Sequence, residues 1–170
     1  MQGLFVSPVT SHDGDAELDA VRNRVQTSIA LKSKLLGKLV YDRGQEWFVG
    51  KLKVVERRIP VFVEMSEPER LVEELPSIEQ RFVNAEDVIM KMATFATEKL
   101  LLTKNESWLS GQAKPLTAEE FMKQLKLDAM ILKSDRSIQV CFRAGRLFHG
   151  HDVHVYGTMD STPTFAEVVG

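Results

Sequence analysis

Leu147-Phe148-His149-Gly150-His151-Asp152-Val153-His154-Val155-Tyr156 is the stretch whose reading decides the C-terminal third of this 170-residue chain. With Ile138 to Phe142 before it and Ala144-Gly145 between, it predicts consecutive β-strands, because apolar and polar residues alternate and a glycine-containing turn separates the runs. In an unbroken strand over Arg146 to Gly157, Leu147, His149, His151, Val153 and Val155 share one face. Asp152, His154 and Tyr156 take the other. A two-residue turn at Ala144-Gly145 pairs Cys141 with Phe148 and Val140 with His149.

Working outward, Leu127 to Lys133, Ser137 to Arg143 and Pro163 to Val169 read as further strands. Upstream of them, Thr117 is a good N-cap for a helix with Phe121, and Glu120 stands at the capping-box position. Ser77 to Thr103 predicts the longest helix, with Ser77 as N-cap after Leu75-Pro76, since proline disfavours a helix interior. Ile78, Phe82, Ala85, Ile89, Met92, Ala96 and Leu100 form its apolar stripe, widened by Val88 and Phe95; that face must lie on a sheet. A short helix capped by Ser66-Glu67-Pro68-Glu69 precedes it.

Before these helices, Leu39 and Tyr41, then Trp47 to Val55, then Ile59 to Met65 read as a three-strand antiparallel meander. In its middle strand Phe48, Gly50, Leu52 and Val54 face one way, and Trp47, Val49, Lys51 and Lys53 the other. Leu18, Val21, Val25 and Ile29 recur at helical spacing behind the polar loop Ser11 to Asp15, predicting an amphipathic helix. The expectation is therefore a single α+β domain over 1–170. An N-terminal loop and helix (1–34) precede a core (35–170) in which antiparallel β-meanders stand before and after a long central helix packed on the sheet.

At this length one domain buries about 70% of the surface its unfolded chain exposes. The charge of −2 is close to neutral and acids and bases are interleaved, so the broad basic footprint of a nucleic-acid binder is missing. Lys51, Lys53, Arg57 and Arg58 make one basic run, read as a solvated strand end. Apolar runs fall far short of the roughly 20 residues a membrane span requires. Met1 to Pro8 has no positive start and too little apolar length for a secretory signal. The lone Cys141 cannot form an intramolecular disulfide, which suits a cytoplasmic protein. No phosphate-binding glycine loop occurs and no cofactor is called for.

Three of the four histidines lie in the C-terminal strand region. On one strand, His149 and His151 would hold their rings about 7 Å apart, a pair able to ligate a metal if a third ligand joins. His151, Asp152 and His154 are the acid/base candidates. The competing reading makes them structural: histidines at the edge of an apolar face with satisfied nitrogens, and a surface Asp152/His154 pair. Cys141 has His149 on the opposite face in this register, so a Cys/His nucleophile is not formed. Trp47 and Trp108 are candidates for a partner-binding patch, since aromatics concentrate binding energy at interfaces.

Asn105-Glu106-Ser107-Trp108, Leu116-Thr117 opening a helix with Phe121, and Phe148, Gly150, His151 and Val153 in the final hairpin together resemble a family of bacterial domains of unknown function. That family carries an Asn-x-x-Trp segment before a Phe-x-Gly-His-x-Ile/Val strand. The resemblance covers about residues 35 to 170; its Arg146 position is usually acidic in the family. It implies a fold and no established reaction. The expected function is a noncatalytic protein-binding module, with an immunity-type inhibitor as its narrower form. The alternative is a metal-dependent or acid/base enzyme centred on the histidine strand. Oligomeric state is not set by the sequence.

Overall fold

A computed structural model describes residues 29–109, 113–158 and 160–170. Eight strands form one sheet in sequential order: β1 (Ala30–Ser33), β2 (Gly37–Asp42), β3 (Trp47–Val54), β4 (Arg57–Glu64), β5 (Lys126–Leu132), β6 (Ile138–Arg143), β7 (Asp152–Gly157) and β8 (Pro163–Val169). Neighbours are antiparallel except β4 and β5, which run parallel. Parallel strands need a long crossover, and the helices occupy it. The two meanders thus join along β4 and β5 into a single sheet.

Residues 30–33, expected within the N-terminal loop and helix, form the edge strand β1 instead. Ser33 explains its sharp end. Its hydroxyl accepts from Leu36 N at 2.9 Å and donates to Glu79 Oε1 at 2.5 Å, so the turn into β2 is closed by side chains. Leu18, Val21 and Val25 of the expected amphipathic helix lie outside the described residues, as does His12.

The crossover holds a 3-10 turn (Pro68–Arg70), α1 (Leu71–Phe82), α2 (Ala85–Ser107) and α3 (Ala118–Gln124). The boundary expected at Pro76 falls at Asn84, with φ −105° and ψ 37°. Pro76 sits inside α1, where its missing N–H leaves only the carbonyl four residues back without a partner, and that residue, Val72, is on the exposed side. Ser77 is consequently a helix-interior residue and not an N-cap. The apolar stripe survives the break: Ile78, Phe82, Ala85, Met92, Ala96 and Leu100 are all buried, as is Val88 beside them, while Ile89 is half-buried. Thr117 makes the capping box with Glu120, its backbone N–H donating to Glu120 Oε2 at 2.8 Å.

The long helix α2 packs on the sheet. Phe48, Leu52, Ile59, Val61, Val63, Met130, Leu132, Ile138, Val140, Phe142, Val153 and Val155 point into the same buried cluster as the helical stripe. Each fully buried Leu, Val or Phe stabilises by roughly 1.5–3 kcal/mol. At Gly157 the approach is closest: a β-carbon there would collide with the Met92 terminal methyl and lie 3.0 Å from Thr162 O.

The predicted strand over Arg146 to Gly157 is corrected to Asp152–Gly157. Residues 145 to 150 form a compact turn, with Leu147 N on Ala144 O, Gly150 N on Gly145 O and His151 N on Phe148 O. Gly145, His149 and Gly150 have φ of 52°, 54° and 99°, values outside the strand region. Burial drives the turn. Leu147 and Phe148, adjacent in sequence, are both buried, Phe148 against Trp108 and Phe121.

Candidate functional site

The turn rearranges every pairing expected around the histidines. Cys141 stands opposite His154, and Val140 opposite Val155. Cys141 and His154 therefore share a face, where the two-residue-turn register had set Cys141 beside Phe148 and away from His149. His149 and His151 do not lie on a strand and do not present two rings on one sheet face. His149 is exposed and His151 half-buried.

Both histidines instead surround Trp108, the residue following α2. Its ring lies 5.4 Å from that of His149, 5.6 Å from His151 and 5.4 Å edge-on from Phe148. Phe148 in turn meets Phe121 of α3 at 6.0 Å. Edge-to-face pairs of this kind add about 0.5–1.5 kcal/mol to area burial. Asn105 anchors the cluster from below. Its amide donates to Leu116 O at 2.9 Å and accepts from Leu116 N at 2.8 Å, tying the chain after Trp108 back to α2. Lys104, buried, donates to Trp108 O at 2.7 Å and closes the helix end.

A second polar group occupies the sheet face opposite the buried cluster. Gln139 Nε2 lies 3.1 Å from His154 Nδ1 and 3.5 Å from Cys141 Sγ. The amide nitrogen can donate to the ring nitrogen in this arrangement. His154 is register partner to Glu167, whose Oε1 accepts from the Tyr156 hydroxyl at 2.8 Å. Burial pushes the Cys141 thiol up to about 11, against a smaller opposing effect of its Gln139 contact. Burial, then the hydrogen bond and charge of Glu167, push Tyr156 up to about 12. At neutral pH both keep their protons. The thiolate that nucleophilic chemistry needs is disfavoured here. Asp152 begins β7 between Arg143 and Val169 and joins neither group through a hydrogen bond. Among the described residues no three His, Cys, Asp or Glu side chains gather as a metal-binding group.

The described span coincides with a conserved unit. A family model described as "Uncharacterized protein conserved in bacteria (DUF2262)" matches residues 33–168. The chain belongs to the DUF2262 family. That match runs from the end of β1 to one residue short of the end of β8, so the DUF2262 unit contains β2 to β7 and all three helices entire. Comparison with curated proteins and with solved structures returned no significant match.

Within this DUF2262 fold the register also creates a feature no motif announces. Ala30, Val40, Val49, Phe62, Ile131, Gln139, Tyr156 and Phe165 are successive cross-strand partners, one from each strand, on the face opposite the helix-packed core. Only Gln139 in this row is fully buried; Val40, Val49, Phe62, Ile131 and Tyr156 are half-buried and Phe165 is 55% exposed. Trp47 lies on the same face, half-buried, with its ring 4.7 Å from Phe62. Lys32, Lys38, Lys51, Lys53 and Arg58 also point to this face and are exposed. None of the five is ion-paired among the described residues. The alternation of β3 signalled its share of the surface; the contribution of β5 to β8 needed the register.

Proposed function

We propose that the protein is a noncatalytic binding module that receives an acidic protein partner on the sheet face opposite its helices. The cross-strand row from Val40 to Ile131 carries this reading. An apolar strip rimmed by polar residues is the usual form of an interaction surface. Lys32, Lys38, Lys51, Lys53 and Arg58 beside it favour a negatively charged partner, speed its approach and reject basic ones. An immunity-type inhibitor bound to an acidic face of its target is the narrower form of the same proposal. Trp47 and Phe62 supply the aromatic anchor.

The Asn-x-x-Trp and Phe-x-Gly-His-x-Val segments, in this reading, are the fastening of the fold. Trp108 packs on the turn carrying Phe148 and His151 while Asn105 ties Leu116 back to the helix that ends at Trp108, so the family pattern marks a joint and not a reaction centre. The protonated Cys141 suits a reducing cytoplasm and asks for no redox partner.

A photo-crosslinking amino acid placed at Val49 or Lys53 in host cells tests the proposal, with Val72 and Leu102 on the helical side as controls. The expected result is one acidic protein captured from the sheet face alone. The purified pair then binds in a salt-sensitive manner and loses affinity with Lys51→Glu/Lys53→Glu. Capture of a second copy of the chain, or no adduct specific to the sheet face, overturns it.

A further inference from the structure

At the end of the sheet remote from the β3–β4 turn lies a cavity of about 170 Å³ between the ends of β4 and β5 and the C-terminal half of α1. Its floor is apolar: Val63, Ile78 and Leu132 are each at most 5% exposed. The charges around it are unevenly satisfied. Glu64 accepts from Lys133 Nζ at 2.7 Å, and Glu74 from Arg70 Nη2 at 2.5 Å, so both lining carboxylates are neutralised. Arg81 and Arg136 have no carboxylate partner among the described residues. Arg81 is held in place at one end of its fork, Nη2 donating to Arg136 O at 2.9 Å. That contact depends on the β5–β6 turn, where Arg136 adopts φ 66° and its N–H donates to Lys133 O at 2.8 Å. A guanidinium has five N–H donors in a planar fork, so most of those on Arg81 remain for a ligand.

We propose that this cavity binds a small organic monoanion with a short apolar tail. The carboxylate would take the free donors of Arg81 and Arg136, a geometry to which guanidinium is suited. The tail would lie on Val63, Ile78 and Leu132. Size fits the class: a cavity of about 170 Å³ has room for a chain of several carbons. The site lies on the helix-packed side and at the sheet end, and it stands independently of the partner surface.

Hexanoate titrated into the full chain is the direct probe, followed by amide chemical shifts, with hexanol and inorganic phosphate as comparisons. Saturable shifts confined to Ser77–Arg81 and Lys133–Arg136 are expected with hexanoate. Arg136→Asn, which tolerates the left-handed backbone, should weaken binding about tenfold or more, as loss of a charge-assisted contact does. Arg81→Gln should act similarly while far-ultraviolet circular dichroism stays unchanged. Equal binding of hexanol or of phosphate, or no saturable shift with hexanoate, would overturn the proposal.

Discussion

Asn105 and Leu116 are joined by a two-way amide contact, each donating to the other at 2.8–2.9 Å across eleven residues. This single side chain substitutes for a backbone pairing just after the chain leaves α2. Asn105→Ala should lower unfolding free energy by about 1–3 kcal/mol, because two half-buried backbone groups lose their partner. Asn105→Asp keeps the acceptor and should fall between. Urea denaturation measures both, and Trp108 fluorescence in a Trp47→Phe background reports whether the aromatic cluster loosens first.

Cys141 gives a chemical readout of the same sheet. With its thiol pushed up to about 11 by burial, the thiolate fraction at pH 8 is about a thousandth, against about a quarter for an unfolded thiol. Reaction with a disulfide reagent should be at least about 100-fold slower in the native protein than in denaturant. Rapid native labelling would show that Cys141 is not buried on its sheet face.

Glu79 predicts the acid behaviour of the β1–β2 turn. Its hydrogen bond from Ser33, with smaller contributions from Leu35 N and Lys34 N, holds the carboxyl below its ordinary range. A carboxyl lowered in the folded state stabilises fully above its unfolded value, about 4.3, and the contribution is lost as pH falls through the lower folded value. Glu79→Gln should therefore cost about 1–2 kcal/mol at pH 7. The gap from wild type should close below about pH 4. Stability curves of the two proteins against pH provide the check.

Gly157→Ala tests the contact between α2 and β7. The added methyl meets the Met92 side chain, which can move, and Thr162 O at 3.0 Å, which is backbone. Overpacking of this kind costs about 1–3 kcal/mol, a fall of about 2–4 °C in Tm per kcal/mol at this chain size. Measured in a Met92→Ala background, Gly157→Ala should cost less by the part due to Met92.

Much of the architecture was legible in local pattern. The alternation of Trp47 to Val54 and the Thr117/Glu120 box depend on neighbours within a few residues and appear as expected, while the stripe from Ile78 to Leu100 is divided between two helices at Asn84. The histidine region did not, because its period was set by tertiary burial of Phe148 against Trp108 and Phe121, residues 27 to 40 positions upstream. The adjacent apolar pair Leu147-Phe148, bracketed by Gly145 and Gly150, was the available sign of a turn. Pro76 misled for the opposite reason: one lost hydrogen bond on an exposed side is outweighed by the apolar stripe running through it. The row from Val40 to Phe165 could not be read locally, since each strand contributes one residue and only pairing aligns them.

The most direct test of the central claim, that the face bearing Val49 and Ile131 is kept for a partner and not for the fold, is urea denaturation of Val49→Thr/Ile131→Thr. Threonine suits a strand and keeps the β-branch, so on a solvent-facing sheet the pair should cost about 1 kcal/mol or less in total. A loss of about 3–4 kcal/mol, the cost of two hydroxyls placed in a dry core, would show that the face is already covered and would contradict the account.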